Sequence, residues 1–106
     1  MDNFKIVNMI VSGKIELKKK MSRQDQSKMI MRANWFCPRE DNIMISKQFE
    51  YRKDGSLNVH KKQKNPYTTI WCSGAFVIVG LKSKKETRDI YDLIIKDLKK
   101  CCRGLL

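Results

Sequence analysis

The stretch Tyr67-Thr-Thr-Ile-Trp-Cys-Ser-Gly-Ala-Phe-Val-Ile-Val-Gly-Leu-Lys-Ser83 decides the fold. Its apolar residues alternate instead of recurring at helical spacing, and Ser73-Gly74 breaks it in two. It therefore reads as two short antiparallel strands, Tyr67 to Cys72 and Ala75 to Leu81, the second β-branched and apolar. Alternation sends Ile70, Phe76 and Ile78 to one side. Tyr67, Thr69, Trp71, Val77 and Val79 go to the other.

Upstream, residues 43–51 carry Ile43, Ile45, Phe49 and Tyr51 and read as a strand. Asp54-Gly55 is a strong short hairpin signal. Ser56 to Lys62 follows, with Leu57 and Val59 facing one side and Ser56, Asn58, His60 and Lys62 the other. Lys64-Asn65-Pro66 makes a second turn. Residues 43–81 thus read as a meander. Downstream, Ser83 lies three residues before Glu86, the spacing of a capping box, and Ile90, Leu93, Ile94, Leu98 and Cys101 recur at helical spacing. Gly104 is the expected stop.

Near the N-terminus, Phe4 to Ser12 alternates as a strand, with Phe4, Ile6, Asn8, Ile10 and Ser12 on one face; Gly13-Lys14 interrupts it. Residues 16–33 hold good helix formers, and Ser22 with Asp25 allows a break near Ser22. Trp35 and Phe36 are expected to anchor the following loop to the core. The order strand, helix, meander, helix predicts an α+β fold: a curved antiparallel sheet of about five strands, with two helices packed on one face.

The chain has 106 residues, which suits one domain spanning 1–106. No apolar run approaches the roughly 20 residues needed to span a bilayer, and the N-terminus lacks the apolar stretch of a signal peptide, so an intracellular protein with no membrane partner is expected. Cys37, Cys72, Cys101 and Cys102 lack paired zinc-site spacing and read as reduced, partly buried thiols. One histidine, no paired carboxylates and no glycine-rich phosphate loop argue against catalysis, and no cofactor or metal is expected. A net charge of +12 calls for a polyanionic partner. Lysines outnumber arginines, which suits phosphate contacts more than the reading of base edges.

Two helices cover only one side of such a sheet. The other side carries Asn58, His60, Tyr67, Thr69, Trp71, Val77 and Val79, a mixture more apolar than a water-facing sheet surface. β-branched and small polar groups of this kind pack against sugars and base edges in the DNA minor groove, with lysines at the rim on phosphate.

Asn8 in Ile6-Val-Asn-Met-Ile-Val11, followed by Thr68 to Ser83 and a helix, resembles one repeat of the TATA-binding protein family. The resemblance spans nearly the whole chain but is specific only at its start and over residues 66–83. It implies that Asn8, with Ile10 and Ser12, meets base edges at the groove floor. It puts Trp71 where the family has a kinking phenylalanine, Val77 and Val79 on the groove floor, and Lys82 and Ser83 near phosphate. Asn58 and His60 lie on the same predicted surface.

Departures accompany it. The second wedge aromatic has no clear counterpart, Ala75 stands for a usual lysine, and residues 34–50 align poorly. The family carries two repeats, and this chain has length for one. A second lobe, in a homodimer, another subunit or the rest of a longer protein, is implied, along with RNA polymerase or initiation factors on the helical side. The implied role is transcription initiation on AT-rich promoter DNA. The implied location is nuclear or, for a viral relative, a cytoplasmic site of transcription. Two other functions fit the same sheet: a nucleic-acid-gripping module beside an attached enzyme, and a dimerisation or protein-interaction module.

Overall fold

The computed structural model describes residues 9–38, 43–51, 57–59, 66–81 and 84–106, with the backbone alone at 9, 50, 51 and 57–59. The chain runs β1 (Met9–Lys14), α1 (Arg23–Ala33), β2 (Met44–Tyr51), β3 (Leu57–Val59), β4 (Tyr67–Trp71), β5 (Ala75–Leu81), α2 (Lys84–Cys101) and a 3-10 turn, Arg103–Leu105. It is an α+β fold: an antiparallel sheet with two helices.

β1, β5, β4 and β2 lie side by side in that order, and the three-residue β3 lies along the far edge of β2. The expected meander therefore fails at one point. β3 does hairpin onto β2, through Phe49↔Val59 and Tyr51↔Leu57. β4 then pairs with the other edge of β2, through Ile45↔Ile70 and Lys47↔Thr68. Turn signals mark where a strand ends; they do not say which edge the next strand takes.

One core lies between the helices and one face of the sheet. Ile45, Phe49, Ile70, Phe76, Ile78 and Leu81 supply the sheet side. Ile90, Ile94 and Leu98 of α2 and Met29 and Ala33 of α1 supply the helix side. Fully burying each such Ile or Leu contributes about 1.5–3 kcal/mol. Ile78 and Leu81 both face the helices although three residues apart, because the β1–β5 register slips between Met9↔Leu81 and Val11↔Ile78. Gly80, at φ 80°, occupies the extra position of this bulge, where a side chain would be strained.

The helix expected over 16–33 begins only at Arg23. Ser22 caps it: its hydroxyl accepts from the Asp25 N–H at 3.1 Å, and the Asp25 carboxylate accepts from the Ser22 N–H at 2.9 Å. Residues 15–21 instead form a strap. Their N–H groups at Ile15, Lys18 and Met21 donate to the carbonyls of Gly74, Leu105 and Cys72. Tertiary hydrogen bonds and the burial of Ile15 and Met21 override the helix propensity of the lysine run. Gly74 is required there: at φ 96°, an added Cβ would lie 2.2 Å from the Ile15 carbonyl oxygen.

Three smaller expectations also change. β1 continues through Gly13 and Lys14, because Gly13 leaves room for the Phe76 ring, whose nearest atom would lie 2.8 Å from an added Cβ. α2 stops at Cys101, and Gly104 sits inside the 3-10 turn that follows. Trp35 is anchored in the core as expected, but Phe36 is exposed and bridges Ser46 of β2.

A charged group lies inside the core. Lys47, on the helix-facing side of β2, is 4% exposed, and its ammonium donates to Asp97 Oδ2 of α2 at 2.7 Å. The Trp35 indole N–H donates to the same oxygen at 2.9 Å. The ammonium also lies 5.8 Å from the Trp35 ring centroid. This cluster ties β2, α2 and the end of α1 together.

Candidate functional site

The candidate site is the sheet face turned away from the helices. Cross-strand pairing builds one continuous row over it. Ser12 of β1 opposes Val77 of β5, Val77 opposes Thr69 of β4, Thr69 opposes Ser46 of β2, and Ser46 bridges Phe36. A second row runs Val79, Tyr67, Gln48. Trp71 stands beyond the first row, opposite Met44.

Of the residues singled out in the sequence, the face brings together Ile10, Ser12, Thr69, Trp71, Val77 and Val79. Ile10 is 68% exposed and Ser12 is exposed; Trp71, Val77 and Val79 are half-buried. Asn58, on β3, is placed by its backbone alone, opposite Glu50 of β2. Asn8, His60, Lys82 and Ser83, together with the Ser83 helix cap, lie outside the described residues.

Thr69 differs from expectation. It is 7% exposed, and its hydroxyl is 2.8 Å from that of Ser46, 3% exposed. Phe36 and Tyr67 line the same recess at this end of the face. The face thus has two zones. Over β1, β5 and Trp71 it is shallow, apolar and half-exposed, with a depression of about 750 Å³ lined by Ser12, Ile43, Trp71 and Val77. Over β2 it is recessed, with a pocket of about 480 Å³ lined by Phe36, Met44, Ser46, Gln48, Tyr67 and Thr69, among others.

Gln48 and Ser46 were missed as site residues. A signal existed: in Met44 to Tyr51, alternation places both opposite Ile45 and Phe49. Lys47 obscured it by standing on the apolar side.

Charge is unevenly spread. Among the described residues, Lys14 is exposed on the candidate face by strand alternation, whereas Lys84, Lys85, Arg88, Lys96, Lys99 and Lys100 lie on α2. Cys37 is exposed, Cys72 half-buried, and Cys101 and Cys102 buried, all as free thiols. Burial, with Asp25 and Cys101 nearby, pushes the Cys102 thiol up to about 11, so it is neutral at pH 7. Among the described residues, no cluster of three or more His, Cys, Asp or Glu could hold a metal ion, and no helix is long and apolar enough to cross a membrane.

No family model, no curated protein and no solved structure matches the chain.

Proposed function

We propose that the chain binds double-stranded DNA through the open sheet face. It would act as a TATA-binding-protein-like half-saddle on the minor groove of AT-rich promoter DNA in transcription initiation. One observation carries the reading: Ile10, Ser12, Val77 and Val79 form a half-exposed stripe beside Trp71, on the face that neither helix covers. In a chain of net charge +12, such a stripe is suited to a polyanion with an apolar inner surface.

The chemistry favours A·T pairs. Their minor-groove floor shows only acceptors, whereas G·C adds the guanine amino group. Ile and Val methyls offer that amino donor no partner, so burying it against them is costly. Ser12 supplies a hydroxyl donor. Trp71 is the aromatic placed to part a base step. Lys14 reaches phosphate. Bending the duplex costs several kcal/mol, offset by the apolar surface buried and the counterions released. One lobe offers half a saddle, so a second lobe, in a homodimer, another subunit or a longer form of the same protein, completes the site. The basic α2 side is left to RNA polymerase or an initiation factor with an acidic surface.

The test is a salt-dependent titration of AT-rich against GC-rich duplex, with stoichiometry and bend angle measured. Steep loss of affinity with salt, AT preference and two lobes per site are expected. Trp71→Ala should weaken binding about tenfold, or about 1.4 kcal/mol, and reduce the bend. An unchanged bend removes Trp71 from the wedge role. A salt-insensitive dimer with no DNA affinity in sedimentation would make the face a protein interface and overturn the reading.

A further inference from the structure

The recess over β2 has a chemistry distinct from the rest of the face. Ser46 and Gln48 form its floor. Strand order sets the edge segment bearing Phe36 on one side and β4, bearing Tyr67 and Thr69, on the other. Phe36 is 37% exposed and Tyr67 half-buried, so both rings keep surface free. Met44 and Pro38 add apolar surface. The hydroxyls of Ser46 and Thr69 are engaged with each other. Gln48 is 7% exposed, and its Oε1 is buried with no hydrogen-bond partner. A buried carbonyl in that state costs stability unless a donor reaches it.

We infer that this recess binds one unpaired nucleobase, which donates an edge N–H to Gln48 Oε1 once that amide turns from its buried position into the recess. The inference rests on the nucleic-acid reading of the same face and adds a substrate class to it. A base is a flat apolar body with a polar edge. Its faces suit Phe36, Tyr67 and Met44, since stacking on aromatic side chains tolerates any base. Each of the four bases carries at least one Watson–Crick-edge N–H, from an amino or imide group, that could reach a single acceptor. A volume of about 480 Å³ accommodates a base with part of its sugar. An unpaired base is required, because a base inside a duplex has both its faces and its edge occupied. The chain would therefore grip DNA next to opened or extrahelical positions more tightly than uninterrupted duplex.

The experiment compares three AT-rich duplexes by fluorescence anisotropy with the full chain. One is fully paired, one carries a single extrahelical thymidine, and one carries an extrahelical abasic residue at the same place. The abasic duplex has a similar flexibility and lacks the base. The thymidine duplex should bind about tenfold tighter than the abasic one, the order expected for one stacked base. Gln48→Met, which keeps length and removes the acceptor, should erase most of that gain, read as the ratio of thymidine to abasic affinity. Tyr67→Leu should also reduce the gain; circular dichroism checks that each variant is folded. Equal affinity for the thymidine and abasic duplexes, or a full gain in both variants, overturns the pocket. If the paired duplex does not bind, the groove reading fails by itself. The pocket then stands or falls on oligothymidylate against its abasic counterpart.

Discussion

Lys47 and Gln48 are neighbours on β2 and point to opposite faces of the sheet. Both are buried, at 4% and 7% exposure. Toward the helices, the buried ammonium of Lys47, the Trp35 N–H and the Thr68 hydroxyl have partners. Asp97 receives the ammonium and the Trp35 N–H, and the Thr68 hydroxyl donates to the Val77 carbonyl at 2.9 Å. Toward the open face, the Gln48 carbonyl has none. The contrast separates two uses of buried polarity. A satisfied group holds the fold together, because removing one partner strands the other. An unsatisfied group costs stability and is relieved only from outside. The first face is closed by its own chain; on the reading proposed above, the second is completed by what binds there.

The largest effect expected from this contrast is Asp97→Ala. It strands a buried ammonium and the Trp35 N–H, and should cost about 3–5 kcal/mol in urea unfolding. A loss under about 1 kcal/mol would break the claim that the helix-facing cluster is structural. The same claim is sharpened by combining Lys47→Met with Asp97→Asn. The pair removes both charges but keeps an oxygen for Trp35, and should recover about 2 kcal/mol or more of the loss.

The next effect has the opposite sign. Gln48→Met removes an orphaned carbonyl and should raise stability by about 1 kcal/mol. Destabilisation by that amount would mean that the carbonyl is satisfied in solution, and the two faces would then no longer differ.

The last effect lies outside both faces and calibrates them. Ser22→Ala removes the α1 cap and should cost about 1 kcal/mol at neutral pH. Burial pushes the Asp25 carboxyl up, but the Ser22 N–H and hydroxyl, with Lys19 and Lys28, hold it below its ordinary value of 3.8. A lowered folded pKa means stability that is present above the unfolded value and lost as pH falls through the folded one. The difference between wild type and Ser22→Ala should therefore shrink below about pH 4 and stay flat from pH 5 to 8.

Much of the contrast was legible from alternation in Tyr67 to Leu81. It sent Ile70, Phe76 and Ile78 to the core, and they are buried there; it left Trp71, Val77 and Val79 on the other face, half-exposed. The α2 stripe was legible in the same way. Thr69 was assigned to the right face but not to its recess, because the recess is lined by Phe36, Ser46 and Tyr67, whose positions depend on the β2–β4 pairing. That pairing is long-range and leaves no mark on local sequence. Lys47 was invisible as a core residue for a related reason. Lysine is almost never buried unless paired, and its partner Asp97 lies far along the chain inside a stripe of apolar residues. Ser22 with Asp25 signalled a possible break, but the helix was expected from residue 16; the strap of residues 15–21 that precedes α1 left no local mark.

The strand order also governs how the chain folds. β1 has one neighbour, β5, the last strand of the sheet to be made. Nothing in the earlier part of the chain can hold β1 in register, so its docking waits until β5 is available. That closure spans most of the sequence, and long-range strand pairing of this kind is slow. The shallow zone of the open face, where Ser12 meets Val77, should therefore be the last part of the surface to form during folding. If the face binds duplex as proposed, a refolding experiment read by duplex binding should lag behind one read by burial of Trp35.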